Sequence, residues 1–148
     1  MAFISATRLR VRSYFYLPQF IWYTFKSERQ VKRAAGFLGG RLTRDKGNVF
    51  WTLTAWKDDA AMRAFRGSGA HMKAMPKLLD WCDEASIAHW EQPDAELPGW
   101  TETHRRMVAE GRLSRVKHPS AAQVAKKIGE PQYGGNEGVT LKPVEARS

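Results

Sequence analysis

The sequence predicts an α+β fold in which helices cover one face of an antiparallel four-stranded sheet. Short segments alternate apolar and polar residues, as strands do, and longer segments repeat apolar residues at spacings of three and four, as helices do. These segments follow one another as strand, helix, strand, strand, helix, strand. Two strand–helix–strand halves joined by a hairpin are typical of a ferredoxin-like sandwich.

The first half of this pattern starts with a strand over residues 3–12, where residue types alternate with a period of two. Pro18 suits the first turn of a helix over residues 19–33, and a second strand follows at residues 37–44. The polar side of the first strand carries a row of basic residues: Arg8, Arg10 and Arg12. This row could face solvent, a partner subunit or the carboxylate of a ligand.

A turn at residues 45–48 consists of residue types that tolerate positive φ, and it joins the second strand to a third over residues 49–56. Large rings lie on both faces of this third strand, since Trp51 and Trp56 fall on opposite sides. We therefore expect both faces of the sheet to be covered. Helices cover one face, and a second copy of the chain is the simplest cover for the other, which predicts a homodimer.

The second half continues with an amphipathic helix that begins near Asp58, where a carboxylate is favourable at a helix N-terminus. Glycines break this helix at residues 67–69. Another helical segment follows over residues 70–83, and Pro76 inside it should kink it or restart it. A fourth strand at residues 85–91 completes the sheet.

These elements predict a ferredoxin-like domain over residues 1–92. The remainder, residues 93–148, is predicted to form a polar helix over residues 99–111 followed by an extended tail. Apolar residues are sparse in that tail, apart from a short helical piece near residues 121–128. Such a tail could lie against the domain or against a partner subunit.

Charge and composition limit the classes of function. The net charge is +9, and residues 1–46 contain ten lysines and arginines against two acidic residues. This basic third could bind a polyanion, or it could be a solvated face. The seventeen aromatic residues are predicted to form the core, so we do not expect a nucleic-acid partner.

Three further absences limit the possible classes of protein. The single Cys82 excludes an internal disulfide and a cysteine-based metal cluster. No apolar run reaches the roughly 18–20 residues of a membrane span, so we expect no membrane span and a cytoplasmic protein. No zinc-protease, phosphate-loop or nucleophile-elbow motif is present.

A strand that ends in LTAW (Leu53 to Trp56) and is followed by an AMRAF helix (Ala61 to Phe65) resembles the antibiotic biosynthesis monooxygenase superfamily. The resemblance covers about residues 3–91. It implies a dimeric α+β barrel, in which the sheets of two ferredoxin-like subunits face each other. Some members oxidise aromatic polyketides without metal or flavin, whereas others use heme, and others only bind or isomerise.

Two branches of this superfamily can be compared residue by residue. Its heme-degrading members carry an Asn, a Trp and a His at positions that fall here on Thr7, Phe65 and Met75, and all three residues differ. The resemblance therefore does not imply heme degradation by that arrangement. The stretch GAHMKAM (Gly69 to Met75) is similar to a turn in spheroidene monooxygenase, a heme enzyme. That similarity implies His71 as a candidate heme ligand, so the expected cofactor is none or heme.

The candidate site is an aromatic pocket between helices and sheet, with His71 as its main polar group and catalytic candidate. A neutral imidazole there could bind iron or act as an acid or base, although a helix-start histidine bonded to backbone would show the same pattern. The predicted pocket residues are Thr7, Phe20, Trp22, Phe25, Trp51, Trp56, Phe65 and Met75. Such a pocket suits an apolar small molecule.

This pocket predicts a monooxygenase-like protein that binds an apolar small molecule, and whether the chain is an enzyme stays open at this point. The alternative is a non-enzymatic protein. It would either bind a polyanion through the basic first third or act as a dimeric scaffold.

Overall fold

The computed structural model describes residues 1–144, and the order of its first elements matches the predicted one. A short 3-10 turn at Tyr14–Tyr16 precedes the first helix. The remaining elements, in chain order, are β1 (Ala2–Val11), α1 (Leu17–Lys32), β2 (Phe37–Asp45), β3 (Val49–Trp56), α2 (Asp59–Arg66), α3 (Gly69–Trp81), β4 (Cys82–Gln92), α4 (Trp100–Glu110), β5 (Arg112–Leu113), α5 (Ala121–Val124) and β6 (Val139–Leu141).

The sheet is antiparallel, and its strand order is β5-β4-β1-β3-β2-β6. Its four central strands are the predicted ones in the ferredoxin-like order, so the α+β fold is confirmed. The prediction of four strands in total is corrected to six, because β5 and β6 pair with the two outer strands. These strands contain two and three residues. Such short segments carry no readable alternation, and the sequence analysis therefore placed them in the tail.

Three helices cover the face of the sheet that carries the even-numbered residues of β3. Helix α1 turns Phe20 and Val31 toward this face. Helix α2 is capped as predicted, because the Asp58 carboxylate accepts a hydrogen bond of 2.8 Å from the backbone N–H of Ala61. Pro76 lies inside α3, which runs without interruption in secondary structure from Gly69 to Trp81.

The opposite face of the sheet is covered by the chain itself. Trp100 and Met107 of α4 are fully buried against this face, where they join Trp51 and Leu53 of β3 in one apolar cluster. Ile128, further along the C-terminal segment, packs against the same cluster. The polar pattern of α4 gives little sign that two of its side chains are core residues, so the sequence alone predicts a second copy on this face.

The arginine row of β1 is engaged within the chain. Arg8 is buried and pairs with Glu84 at 2.7 Å, and Arg10 reaches the same carboxylate at 3.0 Å. Arg12 pairs with Asp80 at 3.3 Å. Carboxylates of the chain thus pair with all three arginines, Arg10 keeps 42% of its side chain exposed, and binding of a polyanion through this row stays a prediction.

Candidate functional site

A cavity of about 250 Å³ lies between the sheet and the helices α1, α2 and α3. Side chains of β1 and β3 form its floor, and side chains of the three helices form its roof. Ser114 and Arg115, which follow β5, lie at its edge. Most of the lining is apolar, with a small number of polar groups, as is usual for sites that bind small molecules.

Most of the residues predicted for the pocket do line this cavity. They are Thr7, Phe20, Trp56, Phe65, His71 and Met75. Three others lie elsewhere. Trp22 and Phe25 are on the outer side of α1 and are 57% and 52% exposed, and Trp51 is fully buried on the opposite face of the sheet. Helix and strand geometry explain this correction, since neighbouring residues point in different directions from one element.

The three positions that the superfamily resemblance singled out come together in the structure. Thr7 on β1, Phe65 on α2 and Met75 on α3 all line the cavity. Their residue types differ from those of the heme-degrading branch. The cavity therefore lies at the positions that the resemblance implies. Its chemistry depends on the different residues that this chain has at those positions.

Sequence reasoning predicted Thr7 but missed the other three hydroxyl groups of a polar floor, those of Ser5, Thr52 and Thr54. Ser5 lies opposite Thr54, and Thr7 lies opposite Thr52, in the antiparallel pairing of β1 with β3. All four residues line the cavity. The period-two pattern of both strands places these hydroxyls on one face, and this signal would have been sufficient to find them.

His71 is held at the start of α3 as a neutral imidazole. Burial is the main cause that lowers its pKa below the usual value, and the nearby Arg66 charge acts in the same direction. In the tautomer with hydrogen on Nδ1, the ring donates a bond of 3.4 Å to the backbone carbonyl of Arg66. Nε2 then keeps its lone pair and has no hydrogen-bond partner among residues 1–144. This nitrogen can accept a proton or a hydrogen bond from a ligand.

Gln30 of α1 fixes the position of His71. Its Oε1 accepts a hydrogen bond of 3.0 Å from the backbone N–H of His71, and its Nε2 donates one of 2.8 Å to the carbonyl of Ser68. Gly69 lies between these contacts with φ +59°, and a Cβ there would come within 2.9 Å of the Gln30 side chain. The glycine break therefore serves the close approach of Gln30 to the start of α3.

Trp56, another residue of the cavity lining, carries an unpaired donor. Its indole is fully buried, and Nε1 has no hydrogen-bond partner within the described chain. Phe65 contacts both rings, with centroids 5.3 Å from Trp56 and 4.7 Å from His71. A buried N–H group without an acceptor costs about 1–3 kcal/mol.

The cavity is a poor fit for heme. Pockets for ligands of drug size begin at about 300 Å³, and the present volume of about 250 Å³ is smaller than that. A macrocycle of four pyrrole rings would require α1 or α3 to move away from the sheet.

Part of the fold and part of the cavity lining lie within a stretch that matches a known protein family. Residues 21–77 match the family model described as antibiotic biosynthesis monooxygenase. The predicted resemblance to this superfamily is confirmed over these residues. The matched stretch runs from α1 into α3, and it includes the cavity residues Trp56, Phe65 and His71. The similarity of Gly69 to Met75 to spheroidene monooxygenase stays a prediction.

Solved structures share the fold of about two thirds of this chain. SnoaB, a cofactor-independent oxygenase from Streptomyces nogalater, is 17% identical with a TM-score of 0.53, covering 66% of this chain and 97% of its own. Rv0793 from Mycobacterium tuberculosis is 10% identical with a TM-score of 0.57, covering 66% and 100%. A conserved protein from Methanosarcina mazei is 14% identical with a TM-score of 0.55, covering 62% and 93%. No curated protein sequence matches the chain.

Proposed function

We propose that this protein is a cofactor-free oxygenase that acts on a small apolar ketone bound in the cavity between the helices and the sheet. The proposal rests on two residues of the cavity lining, a histidine whose burial favours the neutral imidazole and a tryptophan whose indole N–H is unpaired within residues 1–144. His71 offers a free Nε2, and Trp56 offers a free Nε1–H. The superfamily and the fold shared with a cofactor-independent oxygenase support the same reaction class.

The proposed chemistry uses these two groups in sequence. Nε2 of His71 removes a proton from a methylene group beside the ketone, and the Trp56 N–H stabilises the negative charge that develops on the ketone oxygen. The resulting carbanion reduces dioxygen. One oxygen atom remains on the substrate as a new carbonyl, and the other leaves as water. The methylene carbon supplies all four electrons, so the step balances without a further reductant.

The volume of the cavity indicates the size of the ligand. An apolar cavity of about 150 Å³ binds benzene, and the present one measures about 250 Å³. A fused molecule of two rings is therefore the appropriate class. The hydroxyl floor formed by Ser5, Thr7, Thr52 and Thr54 can bond a second polar group at the edge of such a molecule.

A bicyclic probe tests this function directly. In 2-tetralone, an acidic methylene group lies between a ring and a ketone, and an oxygen electrode measures its oxidation. We expect wild-type protein to consume oxygen with this probe. His71→Ala should lower the rate by about 10²–10⁴-fold, and Trp56→Phe should lower it by about 10²-fold. His118→Ala, at an exposed histidine outside the cavity, is the matched control and should keep the rate. No oxygen consumption above that of the control without protein would reject the oxygenase.

The homodimer expected for the superfamily is also a proposal for this chain. Face-to-face packing of two sheets would require the face that Trp100 and Met107 already cover. We therefore propose that a homodimer of this chain forms through a different surface. Light scattering of the full chain measures the mass, and a dimer supports this proposal whereas a monomer rejects it.

A further inference from the structure

The segment from the 3-10 turn into α1 exposes large apolar side chains. Tyr14 and Phe15 are 75% and 78% exposed, and Trp22 and Phe25 are also more than half exposed. We call this set the α1 patch: Tyr14, Phe15, Ile21, Trp22 and Phe25. It lies on the outer side of the helix, away from the cavity. Clustered exposed apolar residues mark interaction surfaces more often than isolated ones do.

Basic side chains accompany the α1 patch. The ammonium group of Lys26 lies 4.8 Å from the centre of the Trp22 ring, and the guanidinium of Arg29 lies 6.0 Å from that of Phe25. The only acidic residue of α1, Glu28, forms an ion pair with Lys32 at 3.5 Å. The patch is therefore both aromatic and cationic.

The second helix of this layer is also basic on its exposed side. Helix α3, which packs beside α1, carries the exposed Lys73 and Lys77. Its acidic residue Asp80 accepts a hydrogen bond from Arg12. The acidic residues of the two helices are thus paired with basic ones, and the remaining lysines and arginines make the outer surface of the helices positively charged.

We propose that the α1 patch docks the protein on an anionic lipid bilayer, with Trp22 and Phe25 inserted between the headgroups. Aromatic rings with a polar edge prefer the interface between water and membrane, and lysine and arginine are attracted to anionic headgroups. The contact is peripheral, because no helix within residues 1–144 is long and apolar enough to cross a bilayer. A second copy is a poorer occupant, since two-fold pairing through this patch would place its basic side chains on both sides of the contact.

One cavity wall lies in the same helix layer. Met75 and Leu79 of α3 line the cavity, yet they are 41% and 38% exposed. An apolar molecule dissolved in the bilayer could pass between these side chains into the cavity. This route rests on the proposed function, whereas the docking itself does not. The docking can therefore be measured with lipid vesicles and no cavity ligand.

Co-sedimentation with lipid vesicles tests the docking. The full chain is mixed with vesicles of phosphatidylcholine alone, or of phosphatidylcholine containing one third phosphatidylglycerol. We expect binding to the anionic vesicles that weakens as salt is raised. Trp22→Ser with Phe25→Ser should weaken this binding at least about tenfold, and Lys26→Glu with Arg29→Glu should do the same. The matched control is Val108→Ser with Lys127→Glu, which changes exposed residues on the opposite side of the sheet and should keep the binding.

Trp22 also reports its own insertion. The other five tryptophans of the chain are buried, so Trp22 is the one that lipid can reach. Bromine-labelled phospholipids should quench part of the tryptophan fluorescence of wild-type protein. Trp22→Phe should bind the vesicles nearly as well but lose that quenching.

Three results would overturn the proposal. The first is an absence of binding to anionic vesicles at low salt. The second is binding that the variants of the α1 patch leave unchanged. The third is self-association that Trp22→Ser abolishes in the absence of lipid, which would assign the α1 patch to a second copy. Circular dichroism of each variant checks that it is folded.

Discussion

The indole of Trp51 on β3 packs against the indole of Trp100 on α4, with ring centroids 6.2 Å apart. Both rings are fully buried, and the Trp100 Nε1–H donates a bond of 2.8 Å to the carbonyl of Glu137. This contact ties three parts of the chain together: the ferredoxin-like sheet, α4 and the segment before β6. The two rings lie at the centre of the apolar cluster through which α4 covers the face of the sheet opposite the cavity.

Removal of this ring should destabilise the whole fold. Trp100→Ala leaves a large cavity beside Trp51, and we expect the free energy of unfolding to fall by about 3–5 kcal/mol. Trp22→Ala removes the same ring type from an exposed site, and it should change that free energy by about 0.5 kcal/mol or less. Denaturant titration of both variants measures the difference. Equal effects of the two substitutions would show that α4 is not part of the cooperative core.

Disruption of the ion pair between Arg8 and Glu84 should lower the free energy of unfolding by a similar amount. Burial alone would raise the pKa of Glu84, but hydrogen bonds from Arg8, Ser120 and Arg10 outweigh it and hold the pKa below its usual value. Glu84→Gln leaves the buried Arg8 charge without its partner, and we expect a loss of about 3–5 kcal/mol. The control is Glu102→Gln in the exposed pair with Arg105, for which we expect at most about 1 kcal/mol.

The same ion pair should make the stability of the fold depend on pH in the acidic range. Because the pKa of Glu84 is lowered on folding, its contribution to stability is present above the unfolded value of about 4.3 and is lost as the pH falls through the folded value. The stability of wild-type protein should therefore drop more steeply below pH 4.3 than that of Glu84→Gln. Parallel curves for the two proteins would contradict this assignment.

Much of the fold could be predicted from sequence because its elements have strong local signals. The alternation of β3, the cap at Asp58 and the glycine break near Gly69 each fix an element within a few residues. The cover by α4 could not be predicted in this way. Its buried residues, Trp100, Thr103 and Met107, occupy one narrow stripe of an otherwise polar helix, and only tertiary contacts show what that stripe packs against.

Only some of the cavity residues could be predicted, because local periodicity determines the direction of some side chains and tertiary packing that of others. Trp56 and Phe65 line the cavity, and strand and helix periods determine their directions. The same strand period places Trp51 on the opposite face of the sheet. Trp22 and Phe25 were assigned by ring type alone. Their side of α1 depends on how the helix is rotated against the sheet, and an apolar first half does not determine that rotation.

Gln30 provides a test of positioning that is separate from chemistry. Gln30→Ala removes the acceptor of the His71 N–H and the donor to Ser68, so the start of α3 should loosen. On 2-tetralone we expect kcat to fall about tenfold or more, with KM little changed. Gln30→Glu retains the acceptor and should recover part of kcat. Gln19→Ala, at an exposed position of the same helix, is the control. A loss confined to KM would place the role of Gln30 in binding instead.

The pH dependence of the protein should reveal the neutral state of His71. Burial lowers the pKa of His71, and it is also the main cause that lowers the pKa of His89. The unfolded chain, with histidine pKa values of about 6.5, therefore binds more protons than the folded one as the pH falls below that value. Stability should consequently decrease as the pH is lowered from 7 to 5.

Substitution separates the two histidines. His71→Gln and His89→Gln should each reduce the loss of stability between pH 7 and pH 5, as measured by denaturant unfolding at both values. The oxidation of 2-tetralone should respond differently, because only His71 lines the cavity. In the His89→Gln protein, the rate should keep the wild-type profile, which falls at a pH below 6.5 as His71 becomes protonated. A profile displaced by His89→Gln, or a rate in wild-type protein that rises toward acid, would show that the base is a group other than His71.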